Sequence, residues 1–153
     1  FAMLRNISSR FKYSCFVNIV EEMELNLYPE SQRSVLFDLL SYANKIELNR
    51  LVLTTHSPYV INYLTLAAKA FLLTQKVSAN ETLQERVKEV VPADSAIDPA
   101  RLRIYELKDG GVFRLSTYEG LPSDENFLNI QLGVTNELFD QLLEIEQEFD
   151  YKN

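Results

Sequence analysis

Three carboxylates and one imidazole carry the chemistry this sequence can offer. Glu21 and Glu22 close an apolar run, Phe16-Val17-Asn18-Ile19-Val20, and Glu24 follows beyond Met23. A short run of β-branched and aromatic residues predicts a buried strand. Two adjacent acids at the end of such a strand are costly unless something cationic is bound there. His56, the only histidine, ends a second apolar run, Leu51-Val52-Leu53-Thr54-Thr55, and precedes Ser57-Pro58. Neutral imidazole presents one donor and one acceptor, so it can serve a site that handles protons or senses an anion. Each feature also has an ordinary reading, a charged strand end for the acids and a packed or capping residue for the histidine.

The elements around these residues weigh against the ordinary readings. Pro29 opens a helix over 30–44 in which Val35, Leu36, Leu39, Leu40 and Ala43 share a face, while Gln32, Arg33, Asp38 and Ser41 fall on others. Glu30 complements the positive end of that helix's macrodipole. Strand, helix and strand within about forty residues make a βαβ unit, so the two strands are expected to be parallel neighbours. Parallel neighbours end at one rim, and that rim is where α/β sheets bind ligands. Glu21-Glu22 and His56 are therefore expected side by side.

With those residues in place, a resemblance can be stated. VEEMELNLYP (20–29) resembles the Walker B segment and following D-loop of ABC-type ATPases, and is most similar to the branch holding the OLD-type (overcoming-lysogenization-defect) and SMC-like ATPases. LVLTTHSPYVIN (51–62) resembles the switch-histidine strand and loop of the same family. The implied fold class is α/β: the C-terminal part of a P-loop NTPase (ABC/RecA-like) domain, with parallel strands, a crossover helix, a β-hairpin and C-terminal helices. The resemblance implies that Glu21 orders Mg²⁺, that Glu22 orients and deprotonates the attacking water, and that His56 contacts the γ-phosphate. Glu24 and Asn26 would lie in the D-loop, which reaches the nucleotide of the other subunit in a homodimer. The intact protein would bind ATP and Mg²⁺ and use hydrolysis to control a nuclease or DNA-linked partner, including in defence against phage.

Departures from the family pattern bear on this expectation. Glu21 stands where Asp is usual, Met23 where Pro is usual, and Tyr28 where His is usual. No G-x-x-x-x-G-K-[ST] phosphate loop and no signature loop occur; Gly110-Gly111 lacks the following Lys-Ser/Thr, and Ser8-Ser9 is a helix-terminal polar pair. The 153-residue chain alone is therefore expected neither to bind ATP tightly nor to hydrolyse it, because phosphoryl transfer rests on positioning and charge neutralisation. Without a neighbouring phosphate-loop strand, the strand over 51–55 would expose an apolar edge, and a hairpin, a dimer partner or a missing segment is expected to cover it. No Toprim-type acidic set follows, so nuclease activity is not expected here. The rival reading is a non-catalytic interaction module that kept the α/β fold and lost turnover.

Composition sets the bounds. The chain is 46% hydrophobic and 24% charged, which suits one domain over 1–153 with a sizeable core. No apolar run is long enough for a membrane helix, and no targeting stretch is visible. One cysteine, Cys15, excludes an internal disulfide framework and fits a reducing cytoplasm. A net charge of −7 without any Lys/Arg run argues against direct nucleic-acid binding. The opening Phe1 fits a piece of a longer polypeptide.

Outside the βαβ unit the patterns are structural. Residues 1–13 place Phe1, Leu4, Ile7 and Phe11 at helical spacing. Ser57 is expected to cap a helix from Pro58 to about Gln75, and a second helix follows over 81–91, stopped by Pro92. Alternation on both sides of Asp109-Gly110-Gly111 predicts a hairpin. The tail predicts helix in two stretches, before and after Gly133, with Glu137, Asp140, Glu144, Glu146 and Glu148 as a solvated face.

Overall fold

Why the two apolar runs end at a common rim is visible in their pairing. In the computed structural model, which describes residues 15–152, β1 (Val17–Glu21) and β2 (Arg50–Thr54) are parallel, with Val17 opposite Arg50 and Glu21 opposite Thr54. Helix α1 (Pro29–Asn44) makes the crossover between them. Buried Asn49 locks the far end of the unit: its Oδ1 accepts from the Phe16 amide at 3.0 Å, and its Nδ2 donates to the Tyr42 carbonyl at 3.1 Å. The expected start of α1 at proline and its apolar face are present, with Leu36, Phe37, Leu39 and Leu40 buried.

Gln32 departs from expectation. It is buried rather than placed on an outer face. Helix α2 (Pro58–Lys76) follows β2 and packs beside α1, contributing Val60, Leu64 and Ala67 to the same core. Ser57 stands at its N-cap position, yet its hydroxyl caps nothing; it donates to Gln32 Oε1 at 2.6 Å instead. A buried amide acceptor on the neighbouring helix wins that hydroxyl from the helix's own backbone.

Both helices cover the same side of the sheet. Val20, Leu51 and Leu53 pack against the core, while the alternate residues Val17, Ile19 and Val52 point the other way. Val17 is 66% exposed and Ile19 68%, which corrects the expectation that the run before Glu21 is a buried strand. The sheet has two strands, so the outer edge of β2 has no partner strand among the described residues. The hairpin does not cover it.

The hairpin forms a sheet of its own, from β3 (Tyr105–Lys108) and β4 (Gly111–Arg114). Asp109 and Gly110 both take positive φ (52° and 72°), as a tight two-residue hairpin turn requires. A second, shorter hairpin, β5 (Thr117–Tyr118) with β6 (Leu121–Pro122), turns in the same way at Glu119-Gly120. Before the hairpins, α3 (Glu81–Val90) is capped by Asn80, whose side chain accepts from the Leu83 amide. A short 3₁₀ turn over Ala93–Ser95 is pinned to α1 by the Ser95 hydroxyl on the Phe37 carbonyl.

Gly133 does not divide the tail. Helix α4 runs unbroken from Phe127 to Lys152, because a single glycine lowers helix stability without ending the hydrogen-bond ladder. The helix expected within residues 1–13 and the Ser8-Ser9 pair lie outside the described residues. Among the described residues, no helix is long and apolar enough to cross a membrane.

Candidate functional site at the sheet rim

The chain turns sharply as it leaves β1. Glu22 adopts a left-handed backbone (φ 47°), a conformation that costs a side-chain-bearing residue energy and that clusters at functional sites. Its amide donates to both the carbonyl and the hydroxyl of Thr54, at 3.0 and 3.2 Å, so the end of β2 holds the turn. Two overlapping turns follow, with the Leu25 amide on the Glu22 carbonyl and the Leu27 amide on the Glu24 carbonyl. Met23 drops into the core as their anchor, which gives a physical use to the residue that stands where the family pattern has proline. Asn26 sits at the tip, exposed and left-handed (φ 59°), a geometry asparagine tolerates better than most residues.

This turn brings Glu22 and His56 together. Glu22 Oε1 lies 3.6 Å from His56 Nε2, too long for a direct hydrogen bond but close enough for one small molecule such as water to touch both. The imidazole is 84% exposed, so it faces open space beyond the rim. Glu21 ends the outward-facing row of β1 and is exposed beside the pair. Among the described residues no group of three or more His, Cys, Asp or Glu side chains is placed to hold a metal ion. A dedicated protein cage is therefore absent there, whereas Mg²⁺, which keeps most of its water and takes one or two carboxylates, is compatible with a single acid such as Glu21.

Glu24 faces inward. Its Oε1 accepts from the His56 amide at 2.5 Å, and its Oε2 is buried with no hydrogen-bond partner among the described residues. A buried carboxylate oxygen left without a partner costs stability, so the turn holds this acid against its solvation preference. Beside it, Gln32 spans the same gap from α1. Its Nε2 donates to the Leu27 carbonyl at 2.9 Å, and its Oε1 takes the Ser57 hydroxyl. The acidic turn and the histidine loop are thus bracketed twice, by Glu24 on the His56 amide and by Gln32 between Leu27 and Ser57. Sequence reasoning missed Gln32, Thr54 and Ser57 as supports. The segment Glu30-Ser31-Gln32-Arg33-Ser34 is polar throughout, so residue type marks none of them; the signal that finds Gln32 is its place four residues before Leu36, in phase with the buried face.

The rim is open. An adjoining turn leaves Tyr28 84% exposed, and a groove of about 380 Å³ elsewhere on the surface is lined by Ser41, Asn44, Lys45, Arg101 and neighbours that share no residue with the rim. What the arrangement can do is act on a ligand brought against it: Glu22 and His56 meet at the carboxyl end of paired parallel strands, and Glu21 ends the strand next to them.

Comparison with known proteins falls on the same stretch of chain. Residues 17–62 match the model of a family described as "AAA domain, putative AbiEii toxin, Type IV TA system", a stretch shorter than half the chain. No curated protein and no solved structure matches. The matched stretch holds β1, the acidic turn, α1, β2 and the histidine loop, and through it the chain is similar to the AAA-type P-loop ATPases.

Proposed function

We propose that this chain supplies the water-activating half of an ATPase site of the ABC-type, OLD/SMC-like class. The observation that carries the reading is the meeting of Glu22 and His56 at the end of paired parallel strands. In this assignment Glu22 accepts the proton of a water that forms a new bond to the terminal phosphorus, as the bond to the bridging oxygen breaks. A carboxylate suits the task because it accepts two hydrogen bonds and orients the water before taking its proton. His56 donates to the terminal phosphate, and Glu24 and Gln32 hold the loop that carries it. Glu21 is the residue that would hold Mg²⁺ through its water shell; the ion, when bound, neutralises phosphate charge.

ATP must then be cradled by a phosphate loop that the 153 residues do not contain. The bare β2 edge and the uncovered outer face of Val17, Ile19 and Val52 suit addition of further strands and a second layer, which supports a larger domain. Asn26 at the exposed tip of the D-loop-like turn fits contact with a second subunit's nucleotide. A cytoplasmic switch acting on a nuclease or DNA-linked partner, as in phage defence, is the role we assign to the intact assembly.

A second reading has its own support. Glu24, which the resemblance places across a dimer interface, is committed within the subunit to the His56 amide. That commitment favours an interaction module that keeps the fold without turnover. One experiment separates the two: ATP turnover by a polypeptide joining this chain to a phosphate loop, with and without Glu22→Gln. The ATPase assignment expects kcat to fall by about 10² or more while nucleotide binding persists. Equal turnover in the two proteins would sink it, and absent turnover in both would favour the module.

A further inference from the structure

The outer part of α4 has the pattern of a buried helix, yet among the described residues nothing buries it. Every residue from Thr135 to Gln147 is exposed. At positions i, i+4 and i+7, Leu138, Leu142 and Ile145 share one face, and Phe139 and Leu143 widen it. A helix without tertiary contacts is marginal in water, and its stability comes from packing an amphipathic face. A contiguous apolar stripe of this size marks an interaction surface.

Charge identifies the kind of occupant. Residues 127–152 hold six acids against one lysine, so this helix carries most of the chain's net −7. On a helical projection, Glu137, Glu144 and Asp140 line one side of the stripe, and Glu146 lies within it, between Leu142 and Phe139. A second copy of α4 laid antiparallel along this face sets acidic rim against acidic rim, and in either direction it brings together two helices of strong like charge. Like charges brought together at an interface act against the pairing.

We infer that the outer part of α4 is a docking helix for a partner protein that offers an apolar groove or helix rimmed with lysine and arginine. The apolar stripe supplies the affinity, and the acids beside and within it select the partner and steer its approach. This surface is separate from the Glu22–His56 rim and does not depend on ATP chemistry.

The test uses the purified chain and two synthetic amphipathic helical peptides of equal length, one with a leucine stripe and lysine rims, the other with the same stripe and glutamate rims. Fluorescence anisotropy is expected to show the lysine-rimmed peptide binding at least about tenfold tighter, with affinity falling as salt is added. Leu138→Asp with Leu142→Asp is expected to abolish binding, with circular dichroism checking that the fold survives. Glu137→Lys, Glu144→Lys and Glu146→Lys together leave the apolar stripe whole and are expected to invert the preference between the peptides. Equal binding of both peptides, or binding of neither, overturns the inference. So does a preference that survives the triple substitution, or a dimer in sedimentation velocity that Leu138→Asp with Leu142→Asp dissolves.

Discussion

Two parts of this chain carry apolar residues at regular spacing, and they meet opposite fates. In the βαβ unit, α1 and α2 press Leu36, Leu40, Val60 and Leu64 onto the inner face of β1 and β2. In α4, an equally regular stripe from Leu138 to Ile145 faces solvent. The same contrast recurs within the sheet, where Val20, Leu51 and Leu53 are packed while Val17, Ile19 and Val52 are bare. Periodicity states that a face must be covered; it does not say by what. The covered half is the one that holds the rim rigid, and the uncovered surfaces are where other polypeptides are expected.

The sharpest way to break this comparison is paired truncation. Leu36, with no exposed surface, should lose about 3 kcal/mol on Leu36→Ala, through lost transfer energy plus a cavity. Leu142→Ala should stay within about 0.5 kcal/mol, the range of ordinary surface changes. Urea denaturation measures both, and comparable losses would mean that α4 is packed after all. Next in size is Gln32→Leu, which strips the Leu27 carbonyl and the Ser57 hydroxyl of a buried partner at a cost of about 2 kcal/mol. Hydrogen exchange should quicken in the 22–28 turn and leave α4 unchanged. Gly133→Ala is expected to gain about 0.5–1 kcal/mol of helix stability, since an added methyl meets nothing within 4 Å; slower exchange along α4 would register it. Smallest is Val52→Thr on the bare sheet face, expected within about 0.5 kcal/mol in this chain, so a large loss would reveal a hidden cover.

The local grammar was legible in the sequence. Proline openings set α1 and α2, Asp109-Gly110 set the hairpin, and strand–helix–strand spacing set a parallel pair with Glu22 near His56. The supports were not. Gln32 stands one turn before Leu36 and so in phase with the buried face, but the Leu27 carbonyl and the Ser57 hydroxyl that satisfy its amide are partners no periodicity can see. Nor does any residue type announce the left-handed Glu22, whose geometry is imposed by the two bonds its amide gives to Thr54. Gly133 misleads in the other direction, because among the described residues nothing within 4 Å of its missing Cβ exploits the break.

A single, outward-facing imidazole has a practical consequence. Because His56 is the sole histidine and stands 84% exposed at the rim, its ring protons form one isolated pair of signals in a proton NMR spectrum. Arrival of a nucleotide, a metal or a partner subunit at this edge can be followed on that pair without isotopic labelling. The chain carries its own reporter at the place where its chemistry is assigned.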